Sequence, residues 1–246
     1  MLPQLPDGFT ALVTGASGGI GSALIDALLE SDRPGRVFAV SRHARQHDDE
    51  RLSPLSADIT TDAGLATLAA HLDDAPLHLV INSIGMLHDE AQGIAPEKKL
   101  DDLDATAMTR LFHVNAVTPA LLLKALQGHL KGHHPVVVAS LSARVGSIGD
   151  NRLGGWYGYR ASKAAHNMLM KTAAVELRRL NPQAMVISLH PGTTDTDLSR
   201  PFQARVPEDK LFSPAFVAGR LLDALSKCTP EESGNFRDWN DMPIAW

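Results

Sequence analysis

Thr14-Gly15-Ala16-Ser17-Gly18-Gly19-Ile20-Gly21 is the stretch on which the fold turns. The six residues Phe9–Thr14 that run into it are rich in strand formers. Beyond it, Ile20, Leu24, Ala27 and Leu28 recur at helical spacing, so a helix opens on the last glycines and ends near Ser31. Glycines in such a turn permit positive φ and let main chain approach a ligand closely. The helix start then offers free N–H groups and a positive dipole end, a place for a diphosphate. No Gly-Lys-Ser/Thr closes the turn, so it is not a P-loop; its spacing is G-x-x-x-G-x-G.

Working outward, residues 36–41 read as a second strand that ends Ser41-Arg42-His43. An acid about 20 residues past such a turn would bind a ribose 2′-hydroxyl and repel a 2′-phosphate. Ser41 carries no charge, and the Arg42 guanidinium matches a phosphate, so NADP(H) is expected over NAD(H). Asp48, Asp49 and Glu50 lie too far past the strand to serve as the ribose acid. Further strands are expected at 77–82, 135–140 and 184–190, and a weaker one at 52–58, where Pro54 limits it to the edge of the run or to a loop. Helices are expected at 62–72, 105–126 and 158–180. The expected fold is α/β: a single Rossmann domain over residues 1–246, a doubly wound parallel sheet with helices on both faces. The irregular segments 87–104 and 195–213 are long enough to be functional, the second as a substrate loop or lid.

Composition narrows the partners. A net charge of −5 over 246 residues leaves no basic excess to neutralise phosphates, so no nucleic-acid partner is expected. The lone cysteine, Cys228, excludes an internal disulfide framework and suits a reducing compartment. Residues 1–8 lack the charge and apolar core of a leader, and no apolar stretch approaches the roughly 20 residues of a membrane span. A cytoplasmic protein without a membrane partner is the expectation. His129, His133 and His134 cluster without a carboxylate or thiol beside them, and no metal is expected.

The chain's two tyrosines are Tyr157 and Tyr159, and Lys163 follows Tyr159 by four residues on one face of a helix. A phenol that titrates at its ordinary value of about 10 is a poor acid or base at neutral pH. Lowering that value to about 7 takes roughly 4 kcal/mol, which a nearby ammonium helps to supply.

Taken together, these motifs resemble the short-chain dehydrogenase/reductase family along essentially the whole chain. Gly15, Ser17, Gly18, Gly19, Ile20 and Gly21 lie in the equivalent of its T-G-x-x-x-G-x-G turn. Asp58-Ile59 is similar to its adenine-contacting acidic pair, and Asn82-Ser83-Ile84-Gly85 to a degenerate N-N-A-G. Asn115, Tyr159 and Lys163 match its catalytic residues, and Pro191-Gly192-Thr193-Thr194-Asp195-Thr196 its P-G-x-x-x-T cofactor loop. Gly146-Ser147-Ile148, the stretch 154–165 and Phe236-Arg237-Asp238-Trp239 look like the C-factor and sniffer-type carbonyl reductases.

The resemblance implies an NADP(H)-dependent reduction of a small carbonyl compound, or oxidation of the alcohol, with Tyr159 as general acid/base. It further implies that Lys163 contacts the nicotinamide ribose, that Asn115 holds a relay water, and that Thr194 and Thr196 fix the carboxamide and phosphate ends. A homodimer or homotetramer paired through helices 105–126 and 158–180 is also implied. One departure stands out: counting back from Gly146, the family's catalytic serine position holds Ala143. Ser142 is expected to fill the role through a one-residue bulge or a loop adjustment, with Ser140 the other candidate. This departure and the degenerate 82–85 segment leave open an alternative, an NADP(H)-binding sensor of the same fold with little turnover.

Overall fold

In a computed structural model describing residues 1–43, 48–72 and 74–246, the alternating segments form a seven-stranded parallel sheet. Its strands are β1 (Phe9–Thr14), β2 (Pro34–Ser41), β3 (Leu52–Ser56), β4 (Leu79–Asn82), β5 (Val136–Leu141), β6 (Ala184–His190) and β9 (Phe236–Asp238), in the order β3-β2-β1-β4-β5-β6-β9. A small parallel pair, β7 (Thr193–Thr194) and β8 (Leu211–Phe212), lies outside it. The helices are α1 (Gly19–Leu29), α2 (Asp62–His71), α3 (Ala105–Phe112), α4 (Thr118–Leu130), α5 (Tyr157–Leu180) and α6 (Pro214–Lys227). The strand order reverses between β1 and β4, which opens a crevice above their carboxyl ends.

Alternation along β1 explains the two layers. Ala11 and Val13 pack into a core with α1 and α6, and Leu12 into a second core with α2, α4 and α5. Two glycines inside α1 cost about 2 kcal/mol of helix propensity. Fully buried Leu24, Ile25 and Leu28 together return roughly 4.5–9 kcal/mol, so packing decides. Pro54 sits in β3, an edge strand, where its missing N–H leaves no ladder bond unmade on the open side.

The single helix expected over 105–126 is in fact α3, a π-turn at His113–Val117, and α4. Pro119 is the physical reason: with no N–H, it cannot bond the carbonyl four residues back, that of Asn115. The Thr118 hydroxyl donates instead to the carbonyl of His113 at 2.9 Å. Among the described residues, no helix is long and apolar enough to cross a membrane.

Candidate active site

Three contiguous cavities, of about 230, 210 and 420 Å³, run across the carboxyl ends of the strands. The first lies over β1, β2 and β4; Tyr159 and Ser142 form part of the wall shared by the other two.

The glycine turn makes the floor where the first two meet. Gly15 has φ +75°, and a Cβ there would stand 2.6 Å from Ser83 Oγ. A Cβ on Gly19 would come within 2.8 Å of Thr196, so side chains at these positions would fill the cradle. Gly18 caps α1 without a side-chain bond, and the first turn holds no acid, leaving N–H groups free for an anion. Ser17, Gly18, Gly19, Ile20 and Gly21 all border these cavities.

Asn82 departs from its expected part. It is 2% exposed, accepts from Thr14 Oγ1 at 2.8 Å and donates to Ser140 Oγ at 2.9 Å. It therefore clips β1, β4 and β5 together beneath the crevice, while Ser83 and Gly85 face the cavities above. The Ser83 hydroxyl donates to the Thr14 carbonyl at 2.6 Å, locking the turn to β1.

At the far end of the first cavity stand Ser41, Arg42, Asp58 and Ile59. Ser41 donates its hydroxyl to the His43 carbonyl at 2.6 Å. Burial pushes the Asp58 carboxyl up, but Thr60, through hydroxyl and amide, together with Arg42 and Arg110, holds it below the ordinary carboxylate range. Arg110 lines the same cavity without having been anticipated, and its Nε is buried with no hydrogen-bond partner among the described residues. Its trace in the sequence is an i, i+4 pairing with Val114, another lining residue, just ahead of Asn115.

At the other end, α5 starts under unusual restraint. Glu97, 4% exposed, accepts the Gly158 N–H on both carboxylate oxygens, at 3.1 and 3.2 Å, and its carbonyl accepts the Trp156 N–H at 2.5 Å. Trp156 is held at φ 51°, in the left-handed region, and Tyr159 follows within the first turn. Nothing local in the sequence marks Glu97, which lies 61 residues before the amide it caps.

Tyr159 and Lys163 are 7% and 3% exposed, with Lys163 Nζ 5.9 Å from the phenol ring centroid and donating to the Leu141 carbonyl at 2.8 Å. Burial pushes the phenol well above its ordinary value and pulls the ammonium down to about 8. Desolvation is the cause of both shifts, so the phenol is held protonated, the form that can donate, and the lowering expected from Lys163 does not appear.

Asn115 is fully buried, its amide paired with Met86 N and O, both at 2.8 Å, and with Ser162 Oγ at 3.0 Å. Gly85 keeps space open here, since a Cβ on it would lie 3.5 Å from Lys163 Nζ and 3.7 Å from Asn115 Oδ1.

Ser142 borders the cavities, but its hydroxyl donates to Asn167 Oδ1 at 2.6 Å. Tyr159, Lys163 and Asn167 follow one another every four residues, so Asn167 lies about 12 Å along the helix axis from Tyr159. The β5–β6 register runs without a shift through Leu141, and the Ser142 hydroxyl just beyond it points down the helix, to Asn167. Ser140 accepts from Asn82 beneath the crevice and borders none of the cavities, and Ala143 packs against Tyr159 and Leu87.

Leu87, Val145, Leu153, Trp156, Leu198 and Phe202 give the largest of these three cavities an apolar wall. Trp156 meets both Tyr159 and Phe202 edge-on, at 6.2 and 5.3 Å between centroids. Pro191, Gly192, Thr194 and Thr196 back it. Gly192 has φ +77°, and a Cβ would press on Phe212 at 2.8 Å. The Thr194 hydroxyl is buried without a partner among the described residues.

A glycine cradle at a topological switch point, continuous with a buried Tyr–Lys pair, defines a nucleotide-dependent oxidoreductase. The profile described as short chain dehydrogenase matches residues 9–206, and the chain belongs to that family of NAD(P)-dependent oxidoreductases. It is similar to the C-signal of Myxococcus xanthus, 32% identical over 185 residues covering 74% of this chain and 100% of the relative. It also resembles the 1-hydroxy-2-glutathionyl-2-methyl-3-butene dehydrogenase of Rhodococcus sp. (strain AD45), at 30% identity over 77% of this chain and 78% of the relative. Among solved structures, an NADPH-bound carbonyl reductase from chicken fatty liver superposes with a TM-score of 0.85 at 25% identity, covering 100% of this chain and 96% of its own. The parallel sheet with helices on both faces matches the expected Rossmann fold.

Proposed function

We propose that the protein reduces a small carbonyl compound to its alcohol, or oxidises the alcohol, using NADP(H) in preference to NAD(H). The observation that carries this reading is the protonated, buried Tyr159 with Lys163 at the wall between the cradle-side and apolar cavities. When bound, the reduced cofactor supplies a hydride. The residues present fit it: the cradle 15–21 for the diphosphate, Arg42 for a 2′-phosphate, Asp58 and Ile59 for the adenine end, and Lys163 for the nicotinamide ribose. Thr194, with its unpartnered hydroxyl, and Thr196 fit the carboxamide and phosphate ends. Tyr159 then donates its proton to the substrate oxygen as general acid.

The segment 195–213 serves as the lid, through Leu198 and Phe202. Exposed Met168, Leu169 and Val175 on α5 support pairing of two copies. Burial pushes the Cys228 thiol up to about 11, and an unreactive free thiol suits the cytoplasm.

The test is NADPH oxidation against a panel of ketones, aldehydes and quinones, with Tyr159→Phe as the comparison. Turnover lost in Tyr159→Phe with NADPH binding retained is expected. Binding without oxidation across the panel would replace this reading with that of a cofactor sensor.

A further inference from the structure

Carbonyl reduction places negative charge on the substrate oxygen, and one donor, Tyr159, is in place to meet it. None of the three positions where a serine would supply a second does so: the Ser142 hydroxyl is given to Asn167, Ser140 lies buried beneath the crevice, accepting from Asn82 and bordering none of these cavities, and Ala143, beside Tyr159, has no hydroxyl. A polar group elsewhere on that wall is unspent.

His190 is the last residue of β6. Leu141 and Leu189 are partners across β5 and β6, and Ser142 N donates to the Leu189 carbonyl at 2.7 Å, so His190 stands level with Ser142 at the neighbouring strand end. Its ring lines the cavity that also contains Tyr159 and Ala143. Nδ1 is buried and has no hydrogen-bond partner among the described residues.

The charged groups acting on the ring are Arg144, Asp238 and Lys163, and Arg144 is itself bonded to Asp238 at 2.9 Å and Asp150 at 3.0 Å. Burial, aided by Arg144 and opposed by Asp238, takes the imidazole down to about 4, so at neutral pH the ring is uncharged and carries one N–H. An N–H sealed without an acceptor is the costlier arrangement, which places the proton on Nε2, the ring nitrogen left to meet a ligand.

Resting on the carbonyl-reductase reading above, we propose that His190 is a further catalytic residue, donating a hydrogen bond from Nε2 to the reacting carbonyl oxygen in place of the missing serine. The carbonyl carbon gains a hydride from the reduced nicotinamide, the C=O π pair moves to oxygen, and that oxygen takes the Tyr159 proton. His190 keeps its own proton throughout and acts by stabilising the developing charge.

The test measures kcat, KM and NADPH binding for His190→Ala, His190→Phe and His190→Gln, and for His190→Ala combined with Ala143→Ser. Losing one such donor lowers kcat roughly 10²–10³-fold, and this is expected for Ala and Phe with NADPH binding unchanged. Gln, which restores an N–H near the place of Nε2, recovers most of the loss, and so does the serine at 143. Ala and Phe variants within about threefold of the unaltered kcat overturn the proposal, as does a loss of NADPH binding that parallels the loss of kcat. Absence of any turnover in the unaltered protein overturns the underlying reading first, and this proposal with it.

Discussion

The imidazole of His166 donates from Nδ1 to the carbonyl oxygen of Asn115 at 3.0 Å, inside the protein, with the ring fully buried. The relationship has a cause in the π-turn and the proline that follows it. Pro119 has no N–H to give the Asn115 carbonyl, and the π-turn leaves that oxygen facing α5, where His166 meets it. The relay expected of Asn115 therefore begins from a residue already pinned on every side. Replacing His166 by Leu strands a buried carbonyl and should cost about 1–3 kcal/mol. Urea unfolding checks this; an unchanged midpoint would show that the carbonyl finds another donor.

The same histidine makes stability pH-dependent. Burial, reinforced by Lys163, takes His166 from 6.5 down to about 3, against weaker opposing hydrogen bonds. Between those values the unfolded chain binds a proton that the folded chain does not, so stability falls as pH falls through the window. The slope is at most about 1.4 kcal/mol per pH unit for this group. His190, taken to about 4, acts in the same direction. Thermal melts between pH 7 and 5 should show a steeper fall for the unaltered protein than for His166→Leu; parallel curves would remove His166 from the account.

Glu97 should matter more than its loop position suggests. Its carboxylate satisfies the Gly158 amide and lies at the positive end of the helix that carries Tyr159. A Cβ at Gly158 would stand 2.7 Å from Glu97 Oε1, so the glycine and the acid fit each other closely. Glu97→Ala should lower stability by about 2 kcal/mol, combining a lost charge-assisted bond with a lost helix-end anion. It should also reduce kcat while leaving NADPH binding near its starting value. Glu97→Gln, which keeps an acceptor, should recover part of both. Steady-state kinetics beside chemical denaturation separates these effects, and a full kcat in Glu97→Ala would confine the residue to folding.

What could be read in advance follows from where each signal is stored. The turn 14–21 and the pair Tyr159–Lys163 declare themselves because every residue involved lies within one turn or one helix. β1 and β6 begin and end where their apolar runs do, whereas β9 has three residues, too few for periodicity, and exists because β6 offers it an edge. Glu97 acts on a segment 61 residues away in the chain, so no local pattern carries it, and the i, i+4 pairing of Arg110 with Val114 gains meaning only once both line the cavity. Asn82 shows the opposite hazard: its place in a motif was legible, but Thr14 and Ser140 drew its amide beneath the crevice. Ser142 was likewise diverted by Asn167, a partner 25 residues on.

The proposed preference for NADP(H) rests on Arg42 because its neighbour is spent. Ser41 gives its hydroxyl to the His43 carbonyl and is 7% exposed, so it has no proton left for a phosphate. Arg42 is exposed at the rim of the same cavity, and its influence on Asp58 shows that its charge reaches the pocket. A charge-assisted bond to a 2′-phosphate contributes about 1.5–3 kcal/mol, equivalent to roughly 10–150-fold in affinity. Arg42→Asp removes that bond and sets a second carboxylate near Asp58, so it should disfavour NADPH by at least this factor while favouring a free ribose hydroxyl. Measured as the ratio of kcat/KM for NADPH and NADH, the preference should fall or invert; an unaltered ratio would move the phosphate's partner away from Arg42.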